Sequence, residues 1–282
     1  MHPDERGFAL VAAVASILLF AGLALAVLNW TRRSVVTGTA EVQSVRAAEA
    51  AESGIVLALG HLPTPIPARR WTLDGRHHSI RYLGAQLDIS MIDERGKVPL
   101  NLLEQDTASA LLEVAGLSGD SLRIARDSLL DWIDDDDDPR PDGAERGFYK
   151  AQGIAPRNGP VQTIEELGRI RGFDAGRVAR LRPIVTADFG AGSFDTRFAQ
   201  PAAIAIMSGK SFLTPEAIQR TREAAGQTTA LGFIGETTLV ARPITISVRA
   251  TMGDDIASTR HCIVELTGNA ARPYVVRRCG RG

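Results

Sequence analysis

Motifs that carry catalysis are missing from this 282-residue chain. No Gly-x-Ser-x-Gly, His-Glu-x-x-His or Cys-x-x-Cys occurs, which removes the common signatures of nucleophilic hydrolysis, zinc proteolysis and dithiol chemistry. Gly209-Lys210-Ser211 ends like a phosphate-binding loop, but its leading glycine would fall at 204, where Ile204 stands. His77 and His78 are adjacent, so in a strand they point to opposite faces and share no metal. An excess of either charge is lacking too. The net charge of −1 at pH 7 sets up no global field toward nucleic acid or an acidic membrane surface. No internal repeat spans the chain, and no enzyme is expected.

What is present begins at the N-terminus. An uncharged run extends from Phe8 to Leu28, 21 residues whose one polar member is Ser16. As a helix it rises about 31 Å, enough to cross a bilayer core. The basic head and trailing cleavage site of a secretory signal are absent. Instead Asp4, Glu5 and Arg6 abut a Gly7-Phe8 junction placed before the run. Glu5-Arg6-Gly7-Phe8-Ala9-Leu10-Val11 resembles the type III signal of prepilins, in which a peptidase cuts after the glycine and the apolar helix is retained. The alternative is a plain membrane anchor. Charge counting does not orient the span, because Arg32 and Arg33 flank its far end; the Gly7-Phe8 junction places the bulk of the chain outside the cytoplasm.

Cysteine is scarce. Cys262 and Cys279 flank a turn candidate at Asn269–Arg272. A hairpin centred between Ala270 and Ala271 pairs residues whose numbers sum to 541, as 262 and 279 do. The two thiols then stand opposite, and in an exported domain a cross-strand disulfide is expected; the alternative is a reduced pair in a cytosolic core.

Apolar spacing carries the first helix onward through Val42, Val45, Ala48, Ala51, Ile55, Leu59 and Leu62, until Pro63 and Pro65 stop it. Gly38 and Gly54 are expected bending points. Short β-type segments follow at 71–73, 78–83 and 86–92, then helical pieces at 107–115, 120–132, 163–170 and 174–181. A mixed segment at Pro215–Ala225 precedes strands at 237–241, 244–251, 261–266 and 274–278. This order predicts an α+β fold: a long N-terminal helix packed on an antiparallel sheet, with an α-helical domain inserted into the sheet domain.

Five consecutive aspartates, Asp134 to Asp138, repel one another unless a cation neutralises them. Asp134, Asp136, Asp138, Asp142 and Glu145 fall at positions 1, 3, 5, 9 and 12 of a loop, with the Arg140 carbonyl at position 7. That is the EF-hand spacing. Yet position 6 is Pro139, which cannot take the positive φ that glycine supplies there, so this is no EF-hand. The oxygen-rich loop suits a hard cation, and calcium is expected; the alternative is a solvated acidic loop held by Arg140 and Arg146.

Thr163–Gly172 and Ala110–Gly119 resemble helix-hairpin-helix halves, whose backbone amides hold phosphate in DNA-binding proteins. Residues 98–190 carry 11 Lys/Arg against 17 Asp/Glu, which argues against nucleic acid, although residues 157–182 run 6 against 3.

Several motifs together resemble the K-type minor pseudopilin family of the bacterial type II secretion system. They are Arg6-Gly7-Phe8, Ala47-Ala48-Glu49-Ala50, the run Asp93-Glu-Arg-Gly-Lys-Val-Pro-Leu-Asn101, the stretch from Asp131-Trp132 through Gly143-Ala144-Glu145, Pro156-Arg-Asn158 and Thr163-Ile-Glu-Glu-Leu167. The acidic motif with its Gly-Ala-Glu ending is the most specific. The resemblance implies a pilin-like fold and calcium in the acidic loop. It implies a place at the pseudopilus tip with I- and J-type minor pseudopilins, after processing by a prepilin peptidase. Most pilins carry a glutamate five residues into the mature chain; here that position is Ala12, as in K subunits, which fits a tip subunit with no neighbour above it. The family's Asn-rich stretch reads instead as Phe194-Asp-Thr-Arg-Phe-Ala-Gln-Pro201.

The implied organisation is a leader at 1–7, the membrane and pilin helix at 8–62, sheet at 63–97, the inserted helical domain at 98–190, and sheet again at 191–282. The chain is then a single-pass inner-membrane protein with its bulk in the periplasm. Rival readings are a membrane-anchored helix-hairpin-helix DNA-binding or type IV pilus accessory subunit, and a stand-alone calcium-dependent periplasmic protein.

Overall fold

Alanine dominates the C-terminal half of the first helix, and small side chains let a helix lie close on a sheet. In the computed structural model, which describes residues 3–62, 71–209, 239–253 and 256–281, α1 is one helix from Pro3 to His61. Ala47, Ala50, Ala51, Ile55, Ala58, Leu59 and Leu62 recur at helical spacing and are buried against the sheet. Val42 and Val45, expected on this stripe, are exposed. Helical periodicity says which face is apolar, not where along the helix its partner begins; burial starts at Ala47. Neither Gly38 nor Gly54 interrupts the helix. A Cβ on Gly54 would stand 2.6 Å from Val248 Cγ1, so this glycine marks close approach rather than a bend.

The side chains described in the apolar run, residues 10–11 and 13–28, are all exposed. Among the described residues, no helix is long and apolar enough to cross a membrane.

The sheet has five antiparallel strands: β1 His78–Tyr82, β2 Ala85–Asp93, β5 Pro243–Met252, β6 Ile256–Asn269 and β7 Arg272–Arg281, lying side by side in that order. Alternation builds its core face. Leu87, Ile89 and Met91 from β2 meet Ile244, Ile246, Val248 and Ala250 from β5 beneath α1. The expected strand at 71–73 does not form. Trp71 instead lies between His61 and His78, with ring centroids 4.1 and 4.3 Å away, and this stack ties the end of α1 to the sheet edge. His77 meets Asp88 at 2.9 Å.

Cys262 and Cys279 are paired across β6 and β7 and their sulfurs are bonded, with Cα atoms 4.2 Å apart. The register between them departs from simple hairpin counting. Leu266 faces Tyr274, where the count would pair it with Val275. An extra residue on β6 near Gly268 (φ +73°) and another on β7 at Arg277 cancel, which restores the pairing at the cysteines.

The helical domain interrupts the sheet between β2 and β5. The chain enters it through β3 (Val98–Pro99) and leaves through β4 (Val185–Thr186), which pair in parallel. Between them lie α2 (Gln105–Val114), α3 (Gly119–Ile133), α4 (Arg146–Lys150), a 3-10 segment at Ile164–Arg169 and α5 (Ala175–Leu181). Leu111, Leu112, Leu129, Trp132, Tyr149 and Leu167 fill the core. This core extends past the expected limit at 190. Helix α6 (Pro201–Met207) adds Ala203, Ile204 and Ile206 to it; seven residues are too few to show a helical period in the sequence. The expected segment at Pro215–Ala225 and residues 237–238 lie outside the described residues. Within 239–241 the pairing is a single bridge from Val240 to Leu266.

The contrast between two glycines on α1 tests this packing. Gly54→Ala overpacks against Val248 and lowers stability by about 1–3 kcal/mol, whereas Gly60→Ala, which meets nothing within 4 Å, leaves it unchanged or raises it by up to about 1 kcal/mol through helix propensity. Denaturant unfolding of the full chain in detergent reads both.

Candidate metal centre

Helix α3 carries two buried carboxylates one turn apart, Asp127 and Asp131, on the side facing the acidic loop. Asp131 is fully buried. It accepts hydrogen bonds from the Ala144 amide (2.8 Å), the Arg140 amide (3.3 Å) and Arg140 Nη1 (2.7 Å). Asp127 accepts the Asp142 amide at 3.3 Å and Arg126 Nε at 2.8 Å. The loop is therefore folded back on the helix by its own backbone donors. Gly143 is required for this: a Cβ there would stand 1.9 Å from Asp131 Oδ2.

This fold-back brings the Asp134, Asp136 and Glu145 carboxylates together, with one oxygen of each within 4.8 Å of the others. Two oxygens on opposite sides of a calcium ion lie about 4.6–5.2 Å apart. The spacing therefore fits one such ion. Asp138 and Asp142, expected as ligands, are not in the cluster. Asp142 turns to Arg123 Nε at 2.9 Å and Asp138 is exposed. Without the EF-hand glycine, the chain after Pro139 turns back toward Asp131, which carries position 9 away from positions 1 and 3.

Glu145 is the anomalous member. Its side chain is buried, yet neither carboxylate oxygen has a hydrogen-bond donor; Asp134 Oδ1 is in the same state. Burial, reinforced by Asp131, Asp134, Asp137 and Asp136, pushes the Glu145 carboxyl up to about 7. Burial also raises Asp134, although Arg140 Nη1 holds its other oxygen at 2.6 Å. Arg140 thus neutralises Asp131 and one edge of Asp134, but does not reach the orphaned oxygens. Arg146 contributes a 3.5 Å contact to exposed Asp137. Asn158 closes the loop from outside, donating to the Asp136 carbonyl and to Asp137 Oδ1. Beneath the site Trp132 and Tyr149 pack edge to face at 5.2 Å, and Trp132 Nε1 donates to Glu166. Asp131, Gly143 and Asn158 shape the site without being expected ligands; their signal lay in the stretch from Asp131-Trp132 to Gly143-Ala144-Glu145 and in the Pro-Arg-Asn motif.

The helix-hairpin-helix echoes resolve as turns at Gly116 (φ +85°) and Gly172 (φ +90°). The second is tightly packed, since a Cβ on Gly172 would stand 2.8 Å from the Ala125 backbone. Five of the six arginines between 157 and 182 are held internally: Arg157 by Glu166, Arg171 by the Gly143 carbonyl, Arg177 by Asp174, Arg180 by the Ala115 carbonyl, and Arg182 by Glu165.

Residues 86–188 match the family model described as type II secretion system (T2SS), protein K. This part of the chain carries the protein K pattern. The matched range contains the whole acidic loop and both its pinning carboxylates. The type II secretion system protein K of Klebsiella pneumoniae is 30% identical over 135 residues, 43% of this chain and 41% of that relative. The chain thus spans less than half the length of the curated relative it matches. A chain in the crystal structure of the GspK-GspI-GspJ complex from the enterotoxigenic Escherichia coli type 2 secretion system superposes with a TM-score of 0.61. The match covers 86% of this chain and 98% of that one at 15% identity, a likeness of fold.

The metal-free protein has a pH signature. Because the folded Glu145 carboxyl titrates near 7 rather than at 4.5, its contribution to stability is full below about pH 4.5 and is lost as pH rises through about 7. In chelator, the melting temperature is expected to fall as pH rises from about 4.5 to about 7 and to level off above that, and Glu145→Gln to flatten that slope. An equal slope in the variant refutes the assignment.

Proposed function

We propose that this chain is a K-type minor pseudopilin of a type II secretion system, a structural, non-enzymatic subunit at the tip of the pseudopilus that takes part in its initiation and in protein export. The observation that carries this reading is the mounting of a helical domain with the protein K pattern between β2 and β5 of a helix-on-sheet scaffold whose helix begins with an apolar run. I- and J-type minor pseudopilins are its partners, a reading supported by the fold shared with the GspK-GspI-GspJ complex.

Residues 8–28 anchor the chain once through the inner membrane, with residues 31 onward in the periplasm. Support comes from the 21-residue uncharged run and from the exposure of Leu10, Ile17, Leu18 and Phe20, which a lipid surround would cover. An oxidising periplasm also suits the Cys262–Cys279 bond. Processing by a prepilin peptidase between Gly7 and Phe8 leaves that helix intact. Intact-mass analysis of the membrane form is expected to show a chain starting at Phe8, and Gly7→Val to block the cut by crowding the scissile bond. Co-purification with the I- and J-type subunits of the same cell tests the assembly. A chain that retains residues 1–7 and captures neither partner overturns the reading.

Calcium belongs to the same proposal. Asp134, Asp136 and Glu145 would hold it, and the orphaned, buried Glu145 oxygens are the observation that the ion fits. A bound dication supplies countercharge and cross-links the end of α3 to the start of α4. The carboxylates are deprotonated ligands, so affinity falls as Glu145 takes up its proton below about pH 7. Chelator is expected to lower the melting temperature at about pH 7.5, and calcium to restore it better than magnesium, which resists full dehydration. Glu145→Ala and Asp136→Ala abolish the calcium-dependent shift, whereas Asp188→Asn, outside the loop, does not. Identical melting with and without calcium removes the metal from the assignment.

A further inference from the structure

A second polar site lies where the helical domain rejoins the sheet. A cleft of about 460 Å³ is lined by Arg95, Ser193, Asp195, Thr196, Arg197 and Arg242. Arg242, 3% exposed, is the buried member of this lining. Its guanidinium pairs with Asp93 and, at 2.9 Å, with Asp195. Arg197 meets Asp195 at 2.7 Å, and Arg95 donates to the Ala241 carbonyl at 2.9 Å. Among these cleft residues and Asp93, three guanidinium groups face two carboxylates, a balance of one positive charge. Burial alone would raise the Asp195 carboxyl, but hydrogen bonds from Arg197 and Arg242 hold it at about 2, so it carries its charge at any working pH.

The Nε–H groups of both Arg95 and Arg242 are buried without an acceptor. A buried, charged donor left unsatisfied is costly, and native structures leave few. Gly192 (φ +119°) fits the same picture, since a Cβ there would stand 2.8 Å from Arg95 Cζ and displace the guanidinium. Hydroxyls of Ser193 and Thr196 line the mouth. We propose that this cleft is a binding site for a small oxyanion, a phosphate or a carboxylate, held by the Arg95 and Arg242 guanidinium groups with Ser193 and Thr196 at the rim. Guanidinium is the side chain best matched to planar or tetrahedral oxygen pairs. The site shares no residue with the acidic loop.

The test uses the metal-free full chain in neutral detergent, which keeps it independent of calcium. Inorganic phosphate and, in a separate arm, acetate are titrated against sodium chloride at matched ionic strength. A saturable rise in melting temperature is expected, about 3 °C at tenfold excess over Kd. Whether phosphate or acetate produces it identifies the source of the oxygens. Arg95→Gln is expected to abolish the rise, and Arg169→Gln, an exposed arginine on the helical domain, to keep it. Should Arg95→Gln not fold, Ser193→Glu decides. Its carboxylate occupies the mouth, so the variant is expected to melt higher in chloride and to lose the response. A rise that does not saturate, no rise with either anion, or one that persists in Arg95→Gln or Ser193→Glu is a general salt effect and overturns the site.

Discussion

The fully buried Asp131 carboxylate is the constraint on which the fold of the acidic loop depends. It is an anion in the helical core, and an isolated one would be untenable there. Three donors from the loop satisfy it: the Arg140 and Ala144 amides and the Arg140 guanidinium. The satisfaction runs both ways. Asp131 is neutralised only if the loop folds back, and the loop folds back only where Gly143 leaves room. Everything downstream follows from that closure, including the burial of Glu145 and its meeting with Asp134 and Asp136.

The arrangement separates two kinds of acid. Asp131 and Asp127 are fully engaged by protein donors and act as internal anchors. Glu145 and one oxygen of Asp134 are buried without donors, which is where a cation has something to offer. Arg140 stands between the two sets, and its reach ends at Asp134 Oδ2. A run of aspartates is commonly a solvated surface. Here its members have different environments, and the environments assign the roles.

Mounting a helical domain inside a sheet domain poses a separate problem, because a long insertion must not pull the flanking strands apart. The parallel pairing of Val98 with Val185 brings the two ends of the domain side by side. Next to that neck, Arg242 ahead of β5 clasps Asp93 at the end of β2 and Asp195 on the returning segment. One buried guanidinium thus joins the sheet to both sides of the insertion. The burial of α6 in the helical core beyond 190 has the same effect, tying the returning chain down before it reaches β5.

Local patterns determined much of this protein. The composition change at about 98, the strand alternation in β2 and β5, the long first helix and the hairpin across Cys262 and Cys279 all arise from short-range spacing, which a sequence displays directly. Other features had no local signature. The buried stripe of α1 starts at Ala47 because that is where the sheet begins to cover it, and Gly54 is small because Val248, far along the chain, presses on it. The compensating shifts near Gly268 and Arg277 cancel in the count and so are invisible to it. At the acidic loop the sequence determined that carboxylates crowd together at near-EF-hand intervals. Which of them converge was decided by tertiary structure, because loop spacing fixes only separation along the chain. The positions of Asp142 and Glu145 in space were set by hydrogen bonds to α3: Arg123 Nε donates to the Asp142 carboxylate, Asp127 accepts the Asp142 amide, and Asp131 accepts the Ala144 amide beside Glu145.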